Sequence, residues 1–310
     1  MTENETVSTK SWKEWLPLLV LPALLLVGEG MALLMIGPVQ ESGATAFQDP
    51  QSVWNPFIFL AMILIFTGIL LLLMRYNLNW VISGFIAFSV FAIFVFVANT
   101  LLSVFFGPTD PVAWVSLLLG VVVTVALYKY PEWHVIDIAG LLMVAGVGAL
   151  FGTSIGIIPA ILLLVILATY DAISVYRTKH MLKLAGGILN LKLPTIMFLI
   201  PKKRDFSYRK LQVTQNLEVK DPNQKRDAYI LGAGDIIIPT VLVVSARVFQ
   251  PSMVPVLGAV LGSLAGMLLL LTFLGGGKAQ AGLPPLNSGT IIGFLVGCAL
   301  VGSWGWLTLA

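Results

Sequence analysis

The sequence predicts an all-α membrane protein with nine transmembrane helices, on the strength of its composition, its apolar segments and the positions of its charges. Of its 310 residues, 58% are hydrophobic and only 11% are charged, and the mean hydropathy is +0.94. A soluble domain has about 25% charged residues, because its surface must be largely polar. This composition excludes a soluble globular protein and a disordered chain, so lipid must solvate most of the surface.

Nine apolar segments are long enough to cross a bilayer, whose hydrocarbon core takes roughly 20 residues of helix. Lys10 and Lys13 precede the first, as in a signal peptide, but its apolar run is too long and no small-residue cleavage site closely follows it. We therefore interpret it as an uncleaved helix, within a single membrane domain covering 1–310. The segments run over about 16–36, 56–74, 80–106, 112–128, 135–151, 156–176, 229–249, 253–274 and 286–308.

The lysines and arginines predict the orientation. Seventeen of the 18 lie before span 1 or in the loops after spans 2, 4, 6 and 8, and the exception is Arg247. These loops share one side of a nine-span chain, which the positive-inside rule assigns to the cytoplasm. We expect the N-terminus in the cytoplasm and the C-terminus outside. The cytoplasmic loop 177–228, with twelve basic and four acidic residues, is either a solvated tether near anionic head groups or a segment that handles substrate.

Four acidic residues fall within predicted spans, where a carboxylate is costly. Asp137 lies near the cytoplasmic end of its span, where we expect an interfacial position. We expect Glu29, toward the outer third of span 1, to bond a neighbouring helix or line a wet cavity. Asp171 lies about five residues before the end of span 6, and Asp235 about six residues after the start of span 7. Both therefore lie roughly 8–9 Å inside the same face, which predicts a carboxylate pair.

Such a pair suits peptide hydrolysis. Two carboxylates a few ångströms apart in a poorly polar site cannot both ionise, so together they hold one proton. The ionised member takes a proton from water as that water attacks an amide carbonyl. The protonated member hydrogen-bonds the carbonyl oxygen and assists the departing amine. No metal, cofactor, thiol or hydroxyl nucleophile is required.

Glycine and proline accompany these acids. Asp235 ends Gly232-Ala233-Gly234-Asp235, whose glycines remove side chains where the backbone has to admit a helix or a peptide. Leu283-Pro284-Pro285-Leu286 reaches the same depth before span 9. Its prolines hold the chain extended, although proline is also favoured at a helix start.

Three motifs in this order resemble those of the presenilin and signal peptide peptidase family of intramembrane aspartyl proteases, the GxGD type. They are Tyr170-Asp171 in span 6, Gly232-Ala233-Gly234-Asp235 in span 7 and Pro284-Pro285-Leu286 before span 9. The resemblance covers essentially all nine spans, and the short chain with its compact loop looks like the archaeal presenilin-like members. The third motif departs from the family's Pro-Ala-Leu at Pro285.

The resemblance implies an aspartic endopeptidase that cleaves the transmembrane helices of other membrane proteins. The N-terminus-in orientation is similar to that of presenilins, which implies substrates whose helix has its N-terminus outside. The long cleavable loop of animal presenilins is absent from the sequence, so we expect neither autoproteolytic activation nor obligate accessory subunits. We expect a multi-pass protein of the cell membrane, with transmembrane substrates and the lipid bilayer as partners and no nucleic acid. By the same resemblance, Asp171 and Asp235 would be catalytic, and Tyr170, Gly232, Ala233, Gly234, Leu283, Pro284, Pro285 and Leu286 would bind substrate or shape the site.

Two stretches of the 177–228 loop, 192–201 and 212–219, partly favour β-structure. Amides inside a helix are already hydrogen-bonded and shielded, so hydrolysis needs the substrate to unwind. We hypothesise that one of these stretches offers a strand edge to unwound substrate. An ordinary surface hairpin or interfacial segment is the alternative.

Other functions stay open at this point. A proton- or cation-coupled transporter also uses paired membrane acids, but it predicts acids nearer the midplane and access from both faces. In a purely structural or receptor-like protein, the same acids would only bond neighbouring helices. A zinc protease would need a His-Glu-x-x-His motif, which is absent. A serine protease would need an intramembrane base, and His134 and His180 lie at or beyond the cytoplasmic boundary.

Overall fold

The computed structural model describes residues 12–178, 197–201, 228–274 and 280–308, and these ranges are mostly helical. A π-helical turn, Ser174–Thr178, extends the seventh helix, and a 3₁₀ turn, Gly305–Thr308, follows the last. Strands β1 (Met197–Pro201) and β2 (Ala228–Gly232) lie between the seventh and eighth helices. The ten helices are α1 (Trp12–Leu34), α2 (Ile36–Glu41), α3 (Asn55–Arg75), α4 (Asn79–Phe106), α5 (Asp110–Lys129), α6 (Trp133–Ser154), α7 (Ile157–Ile173), α8 (Ala233–Phe249), α9 (Met253–Leu274) and α10 (Leu283–Val301).

Seven of the described helices, α3 to α7 with α9 and α10, are long and apolar enough to cross a membrane. The apolar part of α1, Leu19–Leu34, is shorter, and α8 has 17 residues. The prediction of a mostly helical, multi-pass membrane protein is confirmed. The count of nine spans and the orientation of the termini stay predictions.

Two predicted spans begin at the wrong residue. The seventh was expected to be helical from 229, but residues up to Gly232 belong to β2, and α8 begins at Ala233. The ninth was expected over 286–308, but α10 begins at Leu283 and ends at Val301. Its two prolines therefore stand in the first helical turn, where the missing N–H groups cost nothing.

Helix α8 is the centre of the fold. Eleven of its 17 residues are buried, and it contacts α1, α6, α7, α9 and α10. Leu242 and Val243 join Leu163 and Leu164 of α7 in the largest apolar cluster. The buried run covers 238–246, whereas Gly234 in the first turn is exposed, so the enclosed body of α8 fixes a turn that is open on one side.

Helices α9 and α10 approach closely along glycines. A Cβ built at Gly262 would overlap the carbonyl oxygen of Gly289, and one at Gly266 would overlap that of Pro285. Close backbone contact of this kind holds membrane helices together, because lipid is as apolar as a side chain and provides no hydrophobic drive. The interface therefore fixes the beginning of α10. The glycines recur every fourth residue, at Gly258, Gly262 and Gly266 on α9 and at Gly289, Gly293 and Gly297 on α10.

The two strands form an antiparallel pair in which Leu199 lies opposite Ile230 and Met197 opposite Gly232. Strand β1 packs against α6 and α1, with Phe198 and Leu199 fully buried. The β-favouring stretch 192–201 thus contains β1 in its last five residues, whereas 212–219 lies outside the described residues. Strand β2 continues without a loop into α8, so the sheet sets the position of the first turn of α8.

Candidate active site

Asp235 lies in the first turn of α8, three residues after the N-cap Gly232. The backbone N–H of Gly232 donates to its carboxylate, which is the side-chain half of a capping box. The positive end of the helix dipole also favours negative charge at this position. The junction between β2 and α8, which the sequence did not indicate, therefore stabilises the ionised form of Asp235.

Asp171 lies near the C-terminal end of α7 and is 4% exposed. Its Oδ2 accepts the backbone N–H of Leu283 at 3.1 Å, and the backbone of Gly282 adds a second hydrogen bond. Both donors belong to the turn that begins α10. The residues before the proline pair therefore hold one of the two acids.

The same turn also contacts the other acid. A Cβ built at Gly282 would lie 2.8 Å from Asp235 Oδ2 and 3.1 Å from its Cγ, so glycine is the residue that fits there. The charges of Asp171 and Asp235 also act on each other. The structure thus brings the two acids to one two-residue segment, Gly282–Leu283. Within the described ranges, no group of three His, Cys, Asp or Glu side chains is arranged to hold a metal.

The remaining predicted site residues differ in how far they approach the acids. Leu286 is fully buried and Leu283 nearly so, and together they anchor the turn that contacts Asp171. Ala233 is buried at the start of α8, whereas no described atom lies within 4 Å of a Cβ built at Gly234. Tyr170 is half-buried, and its backbone carbonyl accepts a hydrogen bond from the hydroxyl of Ser174 at 2.7 Å.

An apolar groove of about 770 Å³ runs beside the acids between α7, α9 and α10. Its lining includes Ala172, which follows Asp171, and both prolines of the α10 turn. Gly266 of α9 and Gly289 of α10 also line it. A groove of this size and polarity suits apolar side chains of a peptide.

Sequence reasoning gave no role to three residues that brace this site. The Tyr176 hydroxyl donates to Gln280 Oε1 at 2.8 Å and accepts the Ala281 N–H at 3.4 Å, which ties the end of α7 to the segment before α10. The amide of Asn287 donates to the Leu164 carbonyl at 2.9 Å. The sequence could have indicated Asn287, because an amide side chain inside an apolar span needs a polar partner. It gives no indication that Gly282 lies against Asp235.

The other two intramembrane acids lie outside this site. Asp137, whose interfacial depth stays a prediction, is 6% exposed, and its Oδ1 accepts the N–H of Leu199 at 2.8 Å. Glu29 is 1% exposed and faces Ser263 of α9. The Ser263 hydroxyl donates to the Val260 carbonyl, so neither oxygen of Glu29 has a hydrogen-bond partner among the described residues.

Comparison with known proteins adds an independent result. Residues 22–303 match the family described as "Signal-peptide peptidase, presenilin aspartyl protease". Two solved structures of a presenilin family intramembrane aspartate protease, from different crystal forms, are 41% and 43% identical to the chain, each with a TM-score of 0.69. They cover 92% and 93% of this chain, and 99% of each solved chain is matched. No curated protein matches the sequence.

Proposed function

The chain belongs to the signal peptide peptidase and presenilin family of intramembrane aspartyl proteases, and from this premise we propose that Asp171 and Asp235 are its catalytic dyad. The protein is a hydrolase and a multi-pass membrane protein of a family that acts on transmembrane substrates. The transporter alternative is not supported, because the family and both solved neighbours are proteases. One observation carries the assignment of the dyad: Leu283 donates to Asp171 while Gly282 contacts Asp235.

The proposed reaction uses one proton shared by the two acids. The ionised carboxylate takes a proton from a water molecule as the water oxygen bonds to the scissile carbonyl carbon. The other carboxyl group donates its proton to the carbonyl oxygen, which forms a neutral tetrahedral intermediate. As the intermediate collapses and the C–N bond breaks, the carboxyl group that took the proton from water gives it to the amide nitrogen. A hydroxyl group of the intermediate returns a proton to the other carboxylate and becomes the product's carbonyl, so the dyad again holds one proton. The N–H groups of Leu283 and Gly232 stabilise the charged states of the acids.

The sheet supports a route for unwound substrate. Strand β2 ends at Gly232, three residues before Asp235. A peptide that adds to β2 as a further strand runs past the first turn of α8, with its backbone amides extended instead of helical. Gly232 and Gly234 are exposed at this turn and leave space for it. We therefore propose β2 as the strand edge for unwound substrate. Of the two stretches considered from the sequence, 192–201 contains β1, the partner of β2, and 212–219 lies outside the described residues.

The topology and setting are also proposed. Nine spans with a cytoplasmic N-terminus are supported by the distribution of lysine and arginine and by helices or apolar segments at each predicted position. This orientation puts the dyad near cytoplasmic water, the 177–228 loop in the cytoplasm and substrate N-termini outside. We propose the cell membrane as the location and activity without obligate accessory subunits.

The test is cleavage of a model transmembrane peptide by the purified protein, with products identified by mass spectrometry. Asp171→Asn and Asp235→Asn should each lower the rate by at least about a hundredfold, the lower end of what general acid–base catalysis contributes. Both variants should keep the unfolding temperature of the wild type, and a transition-state isostere of peptide hydrolysis should inhibit the wild type.

Asp110→Asn is the matched control, because this exposed acid begins α5, which the proposed topology starts on the side of the membrane opposite to the dyad. Its rate should equal that of the wild type. Wild-type cleavage by either dyad variant, in a folded protein, overturns the assignment.

A further inference from the structure

Asp137 is one of the two intramembrane acids that the proposed reaction leaves unused, and the one bonded to the sheet. It lies in the second turn of α6 and is 6% exposed. Its Oδ1 accepts the backbone N–H of Leu199 at 2.8 Å, in the middle of β1. A carboxylate placed in a buried position normally has a specific partner, and here the partner is the backbone of a strand.

The direction of this hydrogen bond determines how the sheet is oriented. In an antiparallel pair, residues alternate between those that exchange hydrogen bonds with the opposite strand and those that direct their polar groups outward. The N–H of Leu199 points to α6, so Leu199 and the opposite Ile230 are an outward-directed pair. Ala228 and Gly232, two residues away on either side, are outward-directed as well. The hydrogen bond from Gly232 to Asp235 lies on this outer side of β2.

We infer that Asp137 is a positioning residue, which occupies the outer edge of β1 and so directs an unwound substrate to the edge of β2. An unpaired strand edge accepts any extended peptide, and an acceptor already bonded to an N–H of that edge occupies it. With β1 blocked at Leu199, pairing takes place along Ile230, on the strand that leads to Asp235. This inference rests on the proposed function, because it concerns how the substrate reaches the dyad.

The position of the cut follows from the same contact. A substrate strand that shifts by one residue turns its other face to the site and presents a different peptide bond to the dyad. The bond from Leu199 to Asp137 holds β1, and β1 holds β2 in register through its pairing. Without this hydrogen bond, the outer edge of β1 is open to substrate, and the sheet no longer fixes the register in which substrate pairs. The expected consequence is therefore a change in which bond is cut, beyond any change in rate.

The experiment compares Asp137→Ala with Asp137→Asn in the full-length protein. Asparagine keeps an acceptor oxygen at the same distance, whereas alanine has none. The readouts are the masses of the cleavage products of one transmembrane peptide, together with kcat and KM. Glu29→Gln is the control, because Glu29 is an equally buried acid in the helical core and makes no hydrogen bond to the strands among the described residues.

In Asp137→Ala, the ratio of alternative products to the main product should rise up to about tenfold, the population change that one buried hydrogen bond supports. KM should rise more than kcat falls. Asp137→Asn and Glu29→Gln should both keep the wild-type product ratio. Asp137→Ser, whose hydroxyl is too short to reach Leu199, replaces the alanine variant where alanine does not fold and should give the same shift.

An unchanged product ratio in a folded Asp137→Ala or Asp137→Ser variant overturns the inference, as does an equal shift in Glu29→Gln, which would indicate general loosening. In either case, the proposed function still holds if the wild type cleaves the peptide and the Asp235→Asn variant does not. Absence of cleavage by the wild type itself removes the proposed function and this inference together.

Discussion

Helices α3 and α6 differ in opposite directions in apolarity and in burial. The most apolar part of α3 exceeds that of α6 in hydropathy, yet 6% of it is buried against 61% for α6. In water the more apolar helix would be the inner one. In a bilayer, lipid accepts apolar side chains as readily as a protein core does, so apolarity alone gives a helix no reason to be inside.

What distinguishes the inner helix is its small and polar residues. A Cβ at Gly140 would lie 3.0 Å from the ring of Phe198, and one at Gly148 would lie 2.8 Å from Thr240. The carboxylate of Asp137 adds a hydrogen bond to β1. In α3, no described atom lies within 4 Å of a Cβ built at Gly68. Close backbone approach and polar contacts therefore select the inner helices, and substitutions at glycine test this difference.

The largest effect is expected at the α9–α10 interface. Gly262→Val places a branched side chain against the carbonyl of Gly289, so the two helices have to separate. Overpacking against backbone should lower the free energy of unfolding by about 3 kcal/mol. Unfolding by denaturing detergent in mixed micelles measures this change. A variant as stable as the wild type would show that the helices can separate without loss, which contradicts close packing as the basis of the interface.

The next effect is on catalysis. Gly282→Ala places a methyl group within about 3 Å of the carboxylate of Asp235, which must then move. A displacement near 1 Å at a reacting group costs about a hundredfold in rate, so kcat should fall by about this factor while the unfolding temperature changes little. Gly30→Ala, with no described atom within 4 Å of the new methyl group, is the matched control and should keep its rate. Equal rates in both variants would mean that the Asp235 carboxylate can move away from the new methyl group without loss of activity, which contradicts the prediction.

The sequence predicted these helices better than their ends. The segment expected over 253–274 coincides with α9 (Met253–Leu274), because its apolar run is bounded by polar residues and prolines. The residues of β2, Ala-Tyr-Ile-Leu-Gly, are a short apolar run that suits a strand and a buried helix equally. Only pairing with β1, more than 25 residues earlier, decides between the two.

The site was predictable to the extent that its residues are unusual in lipid. Asp171 and Asp235 stand out because a carboxylate in an apolar span has a high cost, and the span boundaries sufficed to set them at one depth. Gly282 does not stand out, because a glycine shows its role only through the atom opposite, here Asp235 Oδ2. The burial of Asp137 was not predictable for a similar reason: it depends on β1, which packs on α6 from a distant part of the chain.

A smaller effect, on stability, is expected at Glu29, a buried carboxyl group that has no hydrogen-bond partner among the described residues. Glu29→Met replaces the carboxyl group by an apolar side chain of similar length. Since neither oxygen has a described hydrogen-bond partner, removal of the group should raise the free energy of unfolding by about 1 kcal/mol. The same detergent titration measures it, and Glu29→Gln, which keeps a polar group, should give a smaller gain. Destabilisation by methionine would indicate that Glu29 bonds a group beyond the described residues.

The smallest effect is expected in the lipid-facing helix. Gly68→Ala adds a methyl group that meets no described atom within 4 Å. The only remaining terms are the helix propensity and the backbone entropy, which together favour alanine by up to about 1 kcal/mol. The variant should therefore be as stable as the wild type or slightly more so, with unchanged cleavage. Gly68 and Gly262 both lie within apolar helices. If the free energy of unfolding falls for Gly262→Val and does not fall for Gly68→Ala, the cause is the backbone that faces Gly262 and not the replacement of a glycine as such. A loss at Gly68 as large as that at Gly262 would instead place α3 against another helix in the membrane.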